Sequence, residues 1–369
     1  DYSCITPLGF DVQSNWQALV SGISGVKEHH FEELKKSFFV AKIDDKTISE
    51  EFSKLNTSAF TRLEKMLILS LKPLIGQNKI SDKTALIFST TKGNISSLKH
   101  QKEIPADAYL GNLAQKIADF FGFKMKPTVI SNACVSGVMA ISVAKNMISA
   151  GICEDAFILA GDEISEFVIS GFNSFQAISD GICKPYDENR SGINLGEAAA
   201  ACFITTNLSG NEKFRFKILG DSAINDANHI SGPSRTGDGL FASVKNVMKE
   251  AKKTAVEIDF ISAHGTATPY NDEMEAIAFN RAGLENIPLH SLKAFYGHTL
   301  GASGLLESII SMESARRNFL IASKNYDKSG ISKPLNIIKE NQTAEIKTIL
   351  KTASGFGGCN AAVILEKIS

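Results

Sequence analysis

Long hydrophobic runs, paired cysteines and a dominant sign of charge are all missing from this 369-residue chain. No apolar stretch reaches the roughly 18 residues needed to span a bilayer, and no signal peptide precedes the first strand, so a membrane span and a secretory route are not expected. The six cysteines (Cys4, Cys134, Cys153, Cys183, Cys202, Cys359) are scattered without CxxC spacing. They read as reduced thiols of a cytoplasmic protein, and neither a disulfide frame nor a zinc motif is indicated. Lys and Arg number 39 against 40 Asp and Glu, a formal net charge of −1. Such balance creates no global field for nucleic acid or an anionic membrane, so an acidic partner must be met by a local basic patch. Nucleotide, flavin and metal signatures are absent, as is low-complexity sequence. The chain opens on Asp1-Tyr2-Ser3-Cys4 without a methionine, which suggests a missing short segment at the edge of the first strand.

What is present is a 43% hydrophobic composition, enough for one large domain or two closely packed halves. Apolar runs of strand length at 84–88, 155–161, 199–205, 214–219, 260–263 and 361–365 alternate with helical patterns at 61–76, 111–121, 241–254 and 272–282. Continuous apolar strands with helices between them indicate an α/β fold with a largely parallel sheet covered on both faces. Two further helices, 135–149 and 302–317, carry small and apolar residues on nearly every side, which marks them as buried between layers. They also expose a weak internal repeat. A strand leading to Asn132-Ala133-Cys134 and a small-residue helix matches a strand leading to Tyr296-Gly297-His298 and a second such helix. Likewise 88–93 matches 262–266. The polar stretch 207–211 is the expected seam, dividing the chain into halves 1–207, which holds Cys134, and 208–369, which holds both histidines.

Cys134 stands where the β-branched run Thr128-Val129-Ile130 gives way to a buried helix. Packing is one explanation, since a free Cys behaves as a small hydrophobe. Nucleophilic chemistry is the other, because a helix N-terminus favours the thiolate. His264, in HGTATPYND, and His298, in GHTLGASG, occupy similar glycine-rich strand ends. A zinc site built from one Cys and two His lacks a fourth ligand and a short ligand pair. A cysteine protease would use one base and an orienter, leaving the second histidine idle.

The combination of SNACVSG, HGTATPYND, KAFYGHTLGASG and SGFGGCNAA, in that order, resembles the β-ketoacyl-acyl carrier protein synthases, the elongating condensing enzymes of the thiolase superfamily. PLGFDVQSNWQALVSGISGV near the start, GFNSFQAIS at 171–179 and KPYDENRSGINLGEAAA at 184–200 extend the likeness over nearly the whole chain. The resemblance implies a thiolase-like fold, in which two duplicated βαβ halves form a five-layered α-β-α-β-α sandwich. It implies that Cys134 takes an acyl group from a carrier-protein thioester, with the N–H groups of Cys134 and Phe356 as oxyanion hole. His264 and His298 would polarise the malonyl thioester during decarboxylation, and Lys293 and Glu307 would be the family's buried ion pair. Thr266 and Thr268, with Gly355 and Gly357, would receive the pantetheine arm, and Phe356 would also act as a gate. No bound cofactor or metal is expected beyond the phosphopantetheine of the carrier. Arg62 and Lys65 are candidates for carrier docking, and the protein is expected to pair with itself or with a related chain-length factor.

Several positions depart from the pattern. Ser354 stands where the family often has Phe, Gly-Glu-Ala (196–198) replaces Gly-Glu-Gly, and the segments 31–60, 92–110 and 179–183 look trimmed. These positions bear on acyl-pocket shape and docking, so fatty-acid, polyene and aryl polyene pathways all stay open. Two other readings also stand at this point. A chain-length factor shares the fold but characteristically lacks the nucleophile. A coenzyme A-dependent thiolase would use a second cysteine, for which Cys359 is the candidate.

Overall fold

The structure, a computed structural model, describes every residue except 56, 58, 100, 208–213, 227, 229–231 and 369. Most of the expected seam therefore lies outside the described residues. Among those described, two five-stranded sheets carry the architecture. The first contains β1 (Tyr2–Ile5), β2 (Thr84–Ser89), β3 (Thr128–Ile130), β4 (Asp155–Asp162) and β5 (Ala198–Thr205), in the order β3-β2-β4-β5-β1. The second contains β6 (Phe216–Asn225), β7 (Phe260–Ser262), β8 (Leu289–His290), β9 (Thr348–Gly355) and β10 (Cys359–Lys367), in the order β8-β7-β9-β10-β6. Pairing sense repeats along both orders: two parallel ladders, then two antiparallel ones. The internal repeat read from 84–134 and 260–298 is thus a repeat of topology. The sheets are less parallel than expected, because β9 and β10 are joined by only three residues and so short a connection permits only an antiparallel hairpin.

Alternation along the strands sorts the core into layers. On the outer face of the first sheet, Leu86, Phe88, Phe157 and Leu159 pack under α1 (Arg62–Ile75) and α2 (Leu110–Phe121). Their neighbours Ala85, Ile87, Ala156 and Ile158 face inward. There they meet α3 (Ser136–Ser149) and α7 (Ser303–Arg317), which also cover Ile349, Ala353, Ala361 and Val363 of the second sheet. Beyond it, Ile261, Leu350, Ala362 and Ile364 pack under α5 (Asp238–Ala251) and α6 (Pro269–Ala282). The result is the five-layered α-β-α-β-α sandwich of the thiolase-like fold. One short helix, α4 (Glu166–Ser174), lies outside these layers.

Two differences from the sequence reading have physical causes. Strand β6 runs on to Asn225, beyond the expected 214–219, because β10 supplies ladder partners as far as Cys359↔Asn225. Strand β9 had no hydropathic signature at all, since Lys351 interrupts the apolar run Thr348-Ile349-Leu350. That lysine is fully buried.

The central helices touch at their first turns. A Cβ on Gly137 would lie 2.6 Å from the Leu305 nitrogen and 3.0 Å from the Gly301 oxygen; one on Gly304 would lie 2.5 Å from the Val138 nitrogen. Only glycine allows main chains so close. Gly137→Ala and Gly304→Ala are each expected to lower stability by about 1–3 kcal/mol, the usual range for overpacking a core. Denaturant unfolding of purified variants measures this, and an unchanged midpoint would contradict the contact.

Candidate active site

Cys134 is presented by a tight elbow between β3 and α3. Ala133 adopts φ of 44°, a left-handed conformation that turns the chain sharply. Ser136 fixes the turn, accepting from the Asn132 N–H at 2.8 Å and donating to the Ala133 carbonyl at 2.7 Å. Gly355 closes over the elbow, and a Cβ there would stand 3.1 Å from the Cys134 nitrogen. Burial pushes the Cys134 thiol up to about 12, while Lys293 and the main-chain N–H of Phe356, which donates to the thiol, pull it the other way. The helix N-terminus was expected to hold this group low. Desolvation of the charged form wins instead, so the resting residue is a thiol.

His264 follows β7 at the matching strand end. Glu275, on α6, accepts from the N–H groups of His264 (2.8 Å) and Gly265 (2.7 Å), and takes a further hydrogen bond from the Tyr186 hydroxyl at 2.9 Å. His298 follows Gly297, whose φ is 63° and whose main chain passes so near Leu195 that a Cβ would lie 2.4 Å from its oxygen. The His298 N–H donates to the Asn194 carbonyl at 2.7 Å, and the His298 carbonyl accepts from Gly196 at 3.0 Å. Both imidazoles are buried, with ring centroids 5.0 Å apart and planes at 81°. A ligand atom from each of Cys134, His264 and His298 lies within 4.8 Å of the others, so the three expected residues converge on one point. Such a trio offers three ligands and no carboxylate. Nδ1 of His264 and both ring nitrogens of His298 have no hydrogen-bond partner among the described residues. Burial, then the charge of Lys293 and Lys351, hold both imidazoles well below their usual value, so they are neutral.

Behind the histidines lies a buried ion cluster. Lys293 pairs with Oε1 of Glu307, which also accepts from the Ser303 hydroxyl at 2.9 Å. The second carboxylate oxygen takes Lys351 at 2.6 Å. Burial would raise the Glu307 carboxyl, but the two lysines hold it down to about 2. The expected Lys293–Glu307 pair is therefore a triad. Lys351 was missed, and so was Asp162. This buried carboxylate accepts from the N–H groups of Thr91 (2.9 Å) and Gly301 (2.7 Å), joining the end of β2 to the turn before α7.

Cys134, His264 and His298 line a cavity of about 480 Å³. Thr266 and Thr268 also line it, with their hydroxyls 2.8 Å apart. Gly355 and Phe356 reach the wall, whereas Gly357 does not; with φ of 85° it serves the turn instead. The Phe356 ring stacks on Phe172 of α4 at 5.5 Å and meets the edge of Phe175 at 5.5 Å. Cys359 lies behind the turn, with its thiol donating to the Phe356 carbonyl at 3.2 Å.

The docking candidates fare differently. Arg62 is not a free surface charge: it donates to Glu197 Oε2 at 2.8 Å and Oε1 at 2.5 Å, and to the Ile43 carbonyl at 2.8 Å. Glu197 is fully buried and also accepts from the N–H groups of Ile43 and Ile164, so Arg62 is an internal clamp. Lys65 is half-buried, with its ammonium 5.7 Å from the Phe52 ring.

Comparison with known proteins agrees with this arrangement. The family model described as beta-ketoacyl synthase, N-terminal domain, matches residues 2–208, and the C-terminal domain model matches residues 216–327. A 3-oxoacyl-[acyl-carrier-protein] synthase 2 of Coxiella burnetii is 28% identical, over 99% of this chain and 96% of the relative. A ketosynthase from Xenorhabdus doucetiae, solved in complex with its chain length factor, is 25% identical with a TM-score of 0.85, covering 99% of this chain and 96% of the other. A beta-ketoacyl synthase from Burkholderia phymatum shares the fold at a TM-score of 0.89, with 22% identity and coverage of 100% and 98%. With both domain models matched in order and spanning most of the residues, the chain belongs to the β-ketoacyl synthase family.

Proposed function

We propose that this protein is a carrier-protein-dependent condensing enzyme that joins an acyl group on Cys134 to a malonyl unit with loss of carbon dioxide. The observation that carries this reading is the convergence of one thiol and two neutral, buried imidazoles in the wall of one cavity. A nucleophile with one histidine would serve simple acyl transfer. The second imidazole adds a second donor for an oxygen on which charge develops, and preorganised donors act strongly in a site without water.

In the first half-reaction the Cys134 sulfur attacks the thioester carbonyl of the acyl carrier protein. The carbon–sulfur bond to pantetheine breaks, and the Cys134 proton passes to the departing pantetheine sulfur. The N–H groups of Cys134 and Phe356 serve the tetrahedral oxyanion, and Thr266 and Thr268 hold the pantetheine arm. In the second half-reaction the carboxylate of malonyl carrier protein leaves as carbon dioxide. Its electron pair moves onto the thioester oxygen, where N–H groups of His264 and His298 stabilise the enolate. The enolate carbon attacks the acyl carbonyl on Cys134, the bond to Cys134 breaks, and the freed thiolate takes up a proton. Burial favours that last step, because it holds the empty residue in its neutral form. Phe356 turns away from or toward Cys134 between the two steps. The enzyme acts as a dimer, with a second copy or, as in the Xenorhabdus complex, a chain length factor.

Intact-protein mass spectrometry against a panel of acyl carrier proteins tests the first half-reaction. Wild type is expected to gain one acyl mass and Cys134→Ala none; a folded, dimeric wild type that loads nothing would overturn the reading. The best-loaded chain then identifies the pathway. His264→Ala and His298→Ala are each expected to reduce decarboxylation of malonyl carrier protein by about 100- to 1,000-fold, the scale of one lost oxyanion donor. Acylation of Cys134 should survive both changes. Decarboxylation needs unprotonated imidazoles, and both are held below the usual 6.5. Its rate should therefore stay level as pH falls through 6.5 and decline only at more acid values. A decline centred on 6.5 would mean that the pocket does not shift them.

A further inference from the structure

Lys351 lies in the middle of β9, on the inward face between Ile349 and Ala353, and none of it is exposed. Its Nζ meets Glu307 Oε2 at 2.6 Å and three main-chain carbonyls, those of Thr352 (2.7 Å), Ser262 (3.2 Å) and Ala263 (3.4 Å). An ammonium has three protons to share among these four oxygens. The shell is an oxygen cage of the kind that holds a small monovalent cation, filled here by a charge tethered to the chain. Burying a lysine is costly without full compensation, and burial does pull this ammonium down from its usual value. Packing alone gives no reason to place one here, in a strand whose neighbours are Ile, Ala and Thr.

The positions of the four oxygens supply a reason. Ser262 and Ala263 immediately precede His264, at the end of β7. Thr352 is the residue that follows Lys351 in β9 itself. Glu307 stands on α7, one turn inside the helix that follows His298, and carries Lys293 on its other oxygen. We propose that Lys351 is a positioning residue for decarboxylation, its ammonium tying the end of β7, which carries His264, to Glu307 on α7. This proposal rests on the condensing function above.

The same ammonium also sets the local charge. The buried ions facing the imidazoles are Lys351 from β9, Lys293 from the turn after β8 and Glu307 from α7, a net of +1. Cys134 adds a neutral thiol from the elbow before α3, and Glu275 of α6 meets only the main chain of His264. Lys293 and Lys351 both disfavour the imidazolium. Without Lys351 the net falls to zero, and protonation of the histidines becomes easier. Loss of Lys351 must therefore move the acid limb of decarboxylation toward higher pH, an effect that loss of packing would not produce.

Two variants test this. Lys351→Gln keeps a donor for Glu307 without the charge, and Lys351→Ala empties the cage. Both are expected to load acyl groups onto Cys134 within two-fold of wild type. Both should lose ten-fold or more in malonyl decarboxylation, with the acid limb displaced to higher pH. Ammonium ion should restore part of the activity of Lys351→Ala, and tetramethylammonium, too large for the cage, should not. Folded variants with wild-type decarboxylation and an unmoved acid limb would overturn the proposal, as would equal losses in both half-reactions. Imidazole NMR titration of wild type and Lys351→Gln, assigned with His264→Ala and His298→Ala, gives a readout independent of turnover. Higher pKa values in Lys351→Gln support the proposal even if wild type neither loads nor decarboxylates, an outcome that would sink the condensing function alone. If neither variant folds, the titration of wild type decides: His264 and His298 protonating near 6.5 would overturn the role of the buried charge.

Discussion

Everything in the site depends on how closely α3 and α7 approach. Gly137 and Gly304 allow their first turns to meet main chain to main chain, between two sheets that would otherwise be held apart by side chains. Cys134 lies just before one helix and His298 just before the other, so the contact that packs the middle layer also brings thiol and imidazole together. Each helix directs the positive end of its dipole toward this region. That field is not enough to ionise the buried thiol, but it favours any oxygen that becomes negative there. Fold and catalysis thus share one constraint, imposed by the absence of two side chains.

The second organising effect is desolvation, and its outcome depends on which groups have partners. Alone, burial drives the Cys134 thiol and the two imidazoles toward their neutral forms. Glu307 resists only because two ammonium groups converge on it. A pair of neutral imidazoles beside a net positive cluster suits a reaction in which an enolate appears. Imidazolium ions in the same place would instead face the charges of Lys293 and Lys351.

The sequence made the three central residues legible because each ends a strand in a local motif with glycine or threonine beside it. The two buried helices were equally plain, since small residues on every side leave no solvent face. What escaped notice are pairings whose partners lie far apart in the chain. Lys351, in a strand of Thr and Ala, looks like a solvated edge residue until Glu307 is set opposite. The ring contacts of Phe356 with Phe172 and Phe175 span about 180 positions. Arg62 was misjudged for the same reason: a basic residue on a helix surface resembles a docking charge, and only the fold reveals Glu197 beneath it. The parallel character of the sheets was overestimated because hydropathy reports burial on both faces and carries no record of strand direction.

The gate proposed at Phe356 has a mechanical property that its place in the fold dictates. Phe356, Gly357 and Gly358 form the whole connection between β9 and β10, and the ladder resumes at once with Gly355 opposite Cys359. Movement of Phe356 is therefore confined to a three-residue turn clamped by an unbroken hairpin, with positive φ at both glycines as its only slack. A hinge so short has little mass to move, and its ring has only the contacts with Phe172 and Phe175 to give up. Reorientations of exposed loops of this kind occupy the nanosecond to microsecond range, far faster than ordinary turnover of about 10 per second. On the role proposed for Phe356, opening and closing would equilibrate many times within one catalytic cycle, which would leave the occupancy of Cys134, and not the speed of the gate, to decide which carrier protein is admitted next.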